Sequence, residues 1–383
     1  MYTIANGIVL KGLDLAPVKS NIVVDDGRII DMSPDACEGK IIDVNNSIVC
    51  PSFFNGHTHI GDSFIKDEGY SLSLSDLVKP PNGVKHKALS NVDDDVIVDA
   101  MKDTMWDMVN NGISHFVDYR EGGLKGVKLL KKASKDIPIS PVILGRDDSF
   151  YGDDPDLSKV KTAIRKLLKV ADGIAPSGFG EIGDDVADII TCECMRKGKI
   201  SSIHVGESRS NQFDSLERFS KSEIRRGVDS NFNQLVHCTN SMGDDLYSLA
   251  KSNVNVVVCP RSNATLNSGV VKLNEMVDLG IRPLLGTDNV MINSPNMFRE
   301  LEFTLKIMSL VHGSYLNPCD VLKMATVNPC YFNFSKSFID ISQPAQFIVL
   351  NNFSKNPYLS IINRCETKNI LYTINRDYNN DIF

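Results

Sequence analysis

Two histidines one residue apart, His57 and His59, end an apolar run that begins at Pro51. In an extended strand, residues two apart point to the same side. A strand over 51–59 therefore delivers both imidazoles to one place. Further along, four more residues have chemistry that could join them. His204 and Glu207 share the stretch His204-Val205-Gly206-Glu207, His237 closes a strand-like run from Asn233, and Asp288 sits in Gly286-Thr287-Asp288-Asn289. Neutral imidazoles with a carboxylate suit zinc, iron or another borderline divalent ion. Such an ion lowers the pKa of a bound water and supplies hydroxide near neutral pH. A carboxylate beside it can take the water's proton, and a second can protonate a leaving group or ring nitrogen. Asp288 and Glu207 supply the pair.

Each residue alone has an ordinary reading. His-x-His pairs occur on plain surfaces, and a lone His237 suits a hydrogen-bonded core or rim position. Asp288 after Gly-Thr can cap a turn, and Glu207 can be a solvated loop charge. Joint placement separates them from coincidence: four of the seven histidines fall at the ends of strand-like runs. His86, His115 and His312 do not. His115 lies early in its run and reads as structural, while His86 belongs to a long connection.

The elements that must position these groups follow from the pattern. Strands are expected at 51–59, 113–119, 137–144, 171–175, 200–205, 233–238, 254–259 and 281–286. Helices are expected at 92–111, 126–135, 157–170, 184–196, 216–226, 244–251, 271–279, 297–310 and 318–325. Eight strand–helix units over residues 50–337 predict an α/β fold, a parallel (β/α)8 TIM barrel. Such barrels carry their active sites at the C-terminal strand ends, where the six residues above fall. The connection 61–90 contains Lys79-Pro80-Pro81-Asn82-Gly83, which opposes helix there, and a loop of that length commonly serves a site. Residues 1–49 have β texture at 2–10, 20–24, 28–32 and 40–43, with a hairpin signal at Asp25-Asp26-Gly27. Residues 338–383 return to it at 338–341, 346–350, 360–364 and 369–374. Each end is too short to stand alone, so the two are expected to join as a small composite β-sandwich beside the barrel.

Composition narrows the class. A net charge of -7, with 42% hydrophobic and 23% charged residues, is ordinary for a globular protein and argues against a nucleic-acid partner. No apolar run reaches the roughly 18 residues of a membrane span. The start lacks the basic and apolar segments of a signal peptide. Nine scattered cysteines fit free thiols in a reducing cytoplasm.

Taken together, these residues resemble the amidohydrolase superfamily. The likeness is to its branch of cytosine, guanine and S-adenosylhomocysteine deaminases and triazine chlorohydrolases. It rests on Pro51 to His59 as the HxH strand, His204 to Glu207 as HxxE, and Val236-His237-Cys238. Val258-Cys259-Pro260-Arg261-Ser262-Asn263, Gly286-Thr287-Asp288 and the stretch Met324-Ala325-Thr326-Val327-Asn328-Pro329 complete it. The resemblance implies that His57, His59, His204 and Asp288 hold one divalent ion, zinc or else iron. It implies that Asp288 also accepts the proton of the attacking water, that Glu207 carries it to the substrate, and that His237 hydrogen-bonds the nucleophile or the developing oxyanion. Relatives with two metals bridge them by a lysine ending strand four. Here that stretch reads Ala171-Asp172-Gly173-Ile174-Ala175, which favours one ion. Pro51-Ser52 in place of Pro-Gly, Gly56 before His57, and the stretch Ile341 to Gln346 depart from the family pattern without touching a ligand.

The activity so implied is hydrolytic deamination of an amino-substituted nitrogen heterocycle, a small molecule, by a metal-activated hydroxide. Alternatives are hydrolysis of a cyclic amide or removal of chloride at the same site, or a non-catalytic binding protein of this fold. Relatives commonly form homo-oligomers. For substrate contacts, Arg120, Arg146, Arg209 and Arg261 with Asn263 follow strand ends and would face the pocket mouth. There an arginine pairs with an anion or a polar ring, or else with acidic neighbours around the rim.

Overall fold

Residues 51–59 divide between two sheets. In the computed structural model, which describes residues 1–78, 82–335 and 337–375, Ile48–Pro51 belongs to one sheet and Phe53–His59 opens another, with Ser52 between them. Ile48–Pro51 is claimed by neighbours on both sides, parallel to Tyr2–Lys11 and antiparallel to Gln346–Leu350. The first strand of the second sheet is correspondingly shorter than the sequence pattern suggests.

The second sheet is parallel throughout and follows chain order. Phe53–His59, Ile113–Arg120, Ser140–Gly145, Gly173–Ile174, Ile200–Val205, Gln234–His237, Asn255–Val258 and Leu284–Leu285 lie side by side. The ninth strand, Asp288–Asn289, pairs back onto Phe53–His59. Its two edges are thus pieces of one segment, parted only by Gly286 and Thr287, so the sheet curls round on itself. Strand alternation sorts the apolar residues. Phe54, Val117, Tyr119, Leu144, Val236, Val257 and Leu284 gather in one buried cluster. Their sequence neighbours Phe53, Phe116, Leu235, Val256 and Val258 join the larger core formed with the helices. Burial on both faces is what near-continuous apolar strands require.

Several helices sit where the pattern puts them, Asp184–Arg196 and Asp94–Asn110 among them. The single helix expected over 216–226 is two, Arg209–Phe219 and Glu223–Asp229. Ser220 turns left-handed at φ 53°, and the Ser222 hydroxyl accepts from Arg225 N to start the second. The connection 61–90 is no bare loop. It carries the 3-10 turn Ile60–Ile65 and helices Leu74–Val78 and Val84–Asn91. The breaker Lys79-Pro80-Pro81 lies outside the described residues.

Strands from both chain ends form a single seven-stranded sheet: Tyr2–Lys11, Ala16–Asp25, Arg28–Ser33, Lys40–Asp43, Ile48–Pro51, Gln346–Leu350 and Ile370–Asn375. Ile4, Val9, Ile22, Phe347, Val349 and Ile374 belong to its own buried cluster. Two expected C-terminal strands are absent as such. Around 338–341 there is only an isolated bridge between Ile339 and Lys11. Residues 360–364 belong to a helix, Pro357–Arg364, because Asn356 caps Leu359 N and Pro357 takes the first helical position, which needs no donor. Among the described residues, no helix is long and apolar enough to cross a membrane.

Candidate metal centre

The six residues singled out by chemistry meet at the C-terminal end of the curled sheet. Pairing is irregular between Asn55 and Thr58, and beyond that point both histidine rings enter the same cluster, 4.9 Å apart and nearly perpendicular. His57 Nε2 lies 3.1 Å from Asp288 Oδ1 and 3.3 Å from His204 Nε2. His59 Nε2 is 3.6 Å from the same Asp288 oxygen. The donor atoms of His57, His59 and His204 all lie within 4.8 Å of one another, as do those of His57, His237 and Asp288.

Outer partners fix which nitrogens point inward. His204 Nδ1 is 2.7 Å from the Ser177 carbonyl, which can only accept, so Nδ1 carries the hydrogen and Nε2 is bare. His59 Nδ1 faces Glu121 Oε1 at 3.2 Å, with the same result. Ser262 Oγ donates to Asp288 Oδ2 at 2.5 Å and leaves Oδ1 turned to the histidines. The cluster is therefore one of converging acceptors, into which His57 can donate at most one N–H. A cation satisfies all of them, and oriented histidines with outer hydrogen-bond partners are what metal sites use. Burial lowers the pKa of His57, and lowers those of His59 and His204 well below the usual range, which keeps the rings neutral. Burial alone would raise Asp288, but the His57 hydrogen bond and the surrounding imidazoles outweigh it and hold the carboxyl well down, ionised.

Backbone conformation is spent on this geometry. His237 and Asp288 have φ of 73° and 62°, in the left-handed region that disfavours side chains. A Cβ on Gly286 would stand 2.7 Å from His57 Cβ and 2.8 Å from His57 N, so only glycine lets the eighth segment pass the first.

Glu207 and His237 stand beside the cluster. His237 Nδ1 is 3.1 Å from Asn263 Oδ1, and Asn263 Nδ2 donates to Thr239 Oγ1 at 2.7 Å, which turns the amide oxygen to the ring. His237 Nε2 is buried, has no hydrogen-bond partner among the described residues, and faces Glu207 Oε1 at 3.7 Å. Burial pushes the Glu207 carboxyl up, with His237 opposing and Asp288 reinforcing. Both residues line a cavity of about 280 Å³ together with His59, His204 and Asp288.

The residues expected at the pocket mouth scatter. Arg146 lines the cavity, held by Glu121 Oε1 at 2.5 Å and Ser177 Oγ at 3.0 Å. Asn263 is at the site, but through His237. Arg120 lies outside the cavity wall, packed on Met101 Sδ and paired with Asp118 and Glu121. Strand alternation puts it with Phe116 and Asp118 on the helix side. Arg261 turns to Ser294 O and Glu300, and Arg209 is exposed above the Phe213 ring. The sequence reading missed Asp62, Lys85 and Glu121. Glu121 follows Arg120 at a strand end and Lys85 falls in the long connection, but nothing in either position announces a buried ion network.

Imidazoles and a carboxylate that could hold an ion, gathered at the ends of a curled parallel sheet, suit a metal-dependent hydrolase. The chain belongs to the amidohydrolase family, whose model matches residues 48–377. It is 45% identical over 375 residues to a protein of Methanothermobacter thermautotrophicus named provisionally as an aminohydrolase, covering 98% of this chain and 97% of that one. Over 362 residues it is 24% identical to the 5-methylthioadenosine/S-adenosylhomocysteine deaminase of Pyrococcus furiosus, covering 85% and 80%. The crystal structure of an adenosine deaminase from Xanthomonas campestris with bound zinc shares the fold, with a TM-score of 0.83 at 15% identity over 98% of this chain and 91% of that one.

Proposed function

We propose that this enzyme hydrolytically deaminates an amino-substituted nitrogen heterocycle with a single divalent ion, zinc first and iron second, held by His57, His59, His204 and Asp288. The observation that carries the reading is Glu207, a buried carboxyl on the cavity wall beside the ligand cluster and 3.7 Å from His237 Nε2. The ion, when bound, lowers the pKa of water and so supplies a nucleophile near neutral pH. The rest falls to side chains. Asp288, anchored through Oδ2 by Ser262, offers Oδ1 to the water's proton. Glu207, its carboxyl pushed up by burial, carries a proton to the ring nitrogen and the departing amine. His237, with Nδ1 given to Asn263, presents Nε2 as acceptor for an O–H of the attacking water. Strand four, Gly173–Ile174, has no lysine, and Lys169 before it is exposed, which supports one ion.

We also read the nine strands as a closed (β/α)8 barrel over 50–337. Residues 1–49 with 338–375 then form a separate small composite β domain on the seven-stranded sheet, with Ile48–Pro51 handing the chain from one to the other.

The Pyrococcus relative is named for 5-methylthioadenosine and S-adenosylhomocysteine, so aminopurines are the first substrates to try. Metal analysis of the purified enzyme, with ammonia release measured over aminated purines, pyrimidines and pterins, tests the function. Stoichiometric metal and ammonia from one class is the expected result. Metal without ammonia from any of them would refute deamination.

A further inference from the structure

A second charged cluster adjoins the metal ligands. Lys85, on helix Val84–Asn91, is 1% exposed. Its ammonium lies 2.7 Å from Glu121 Oε1 and 3.2 Å from Asp62 Oδ2. Glu121 reaches a proposed ligand directly, and Asp62 reaches the residues that follow one. Glu121 Oε1 accepts from His59 Nδ1 at 3.2 Å and so fixes the tautomer that bares Nε2. Asp62 Oδ2 accepts from Asn289 Nδ2 at 2.6 Å, and Asp62 Oδ1 accepts from Met291 N at 3.1 Å; these bonds pin the backbone just past Asp288. A buried carboxylate needs a cation or several donors to stay charged. Arg146 and Arg120 also pair with Glu121, whereas among the described residues the only ion pair of Asp62 is with Lys85.

We propose that Lys85 is a positioning residue for the metal centre, holding Glu121 and Asp62 so that His59 and Asp288 present their inner atoms to one ion. The inference rests on the four-ligand reading above and adds a residue from outside the strand ends. Its chemistry is that of an outer hydrogen-bond partner, whose loss in metal sites typically weakens affinity 10- to 100-fold. Here the partner is a carboxylate, and Lys85 is one of three cations around it and the one that also holds Asp62. The helix that brings Lys85 to the cavity wall is thereby fastened to the proposed ligands.

The test is zinc affinity, measured by competition with a chromogenic chelator and independent of any substrate. Lys85→Met, Lys85→Arg and Glu121→Gln are compared with the wild type and with Lys87→Met, an exposed change on the same helix. Circular dichroism and thermal unfolding of the metal-free proteins monitor the fold. Lys85→Met and Glu121→Gln should weaken zinc binding about 10-fold or more, Lys85→Arg should restore part of it, and Lys87→Met should match the wild type. Affinities of Lys85→Met and Glu121→Gln within twofold of the wild type overturn the proposal. Where Lys85→Met does not fold, Glu121→Gln decides, since it keeps the side chain's shape and changes only its charge. A wild type that binds no zinc would instead overturn the ligand reading itself.

Discussion

Glu207→Gln separates chemistry from metal binding. Glutamine has the length and volume of glutamate, so the cavity wall and the approach to His237 Nε2 at 3.7 Å are kept. Asp288 Oδ1 and the inner nitrogens of His57, His59 and His204 converge without Glu207, so metal content should not change. What is lost is the one carboxyl on the cavity wall proposed to take and give a proton, a group whose pKa burial raises. General acid–base catalysis by one positioned group contributes about 10²- to 10⁴-fold, or about 3 to 5 kcal/mol of barrier at about 1.4 kcal/mol per decade. The assay pairs elemental analysis with steady-state ammonia release on whichever heterocycle the wild type accepts. Full metal occupancy with kcat lowered at least 100-fold is the expected result. A variant with full metal and kcat within about threefold of the wild type would show that Glu207 moves no proton in the rate-limiting step, and the assignment would be withdrawn.

Other substitutions test neighbouring claims. His204→Ala removes a converging nitrogen and should bind metal weakly or not at all; a chelator should then lower the wild type's melting temperature and leave the variant's unchanged. Gly286→Ala places a methyl against the His57 backbone and should cost about 1–3 kcal/mol in stability along with metal occupancy, read by denaturant unfolding and elemental analysis. Burial pushes the Glu300 carboxyl up from 4.5 to about 7, with Arg261 opposing. A raised folded-state pKa gives stability that is complete below the unfolded value and is lost as pH rises through about 7. The loss is about 3 kcal/mol at about 1.4 kcal/mol per pH unit. Glu300→Gln should therefore melt higher than the wild type at pH 8, with the gap closing toward pH 5; a gap independent of pH would contradict this.

The cluster of candidate metal ligands was legible because such chemistry admits few residue types and the strand period dictates direction. His57, His59, His204 and Asp288 carry both signals, and Glu207 and His237 follow from strand ends. Arg120 was legible too, through alternation with Phe116, but a strand end was weighed above it. The helix Pro357–Arg364 announces itself by Asn356-Pro357, which the pair Ile361-Ile362 obscured. Lys85 could not be read in this way. A buried ammonium is recognised by the carboxylates around it, and Asp62 and Glu121 reach it from separate segments that only the folded chain brings together. The same holds for the break at Ser52, set by competition between two sheets for one run of residues.

The joining of the sheet's ends has a thermodynamic consequence. His57 and Asp288 are 231 residues apart in the chain, yet their segments pair directly, Asp288 with Thr58 and Asn289 with His59. An ion shared by the two is a reversible cross-link across most of the polypeptide. A covalent bridge closing a loop of about 100 residues removes roughly 4.7 kcal/mol of unfolded-chain entropy, and the penalty grows only slowly with length. Unlike a disulfide, this link strengthens by about 1.4 kcal/mol for each tenfold rise in free metal above its dissociation constant. Resistance to proteolysis would then track metal supply, and a starved enzyme would be degraded as well as idle.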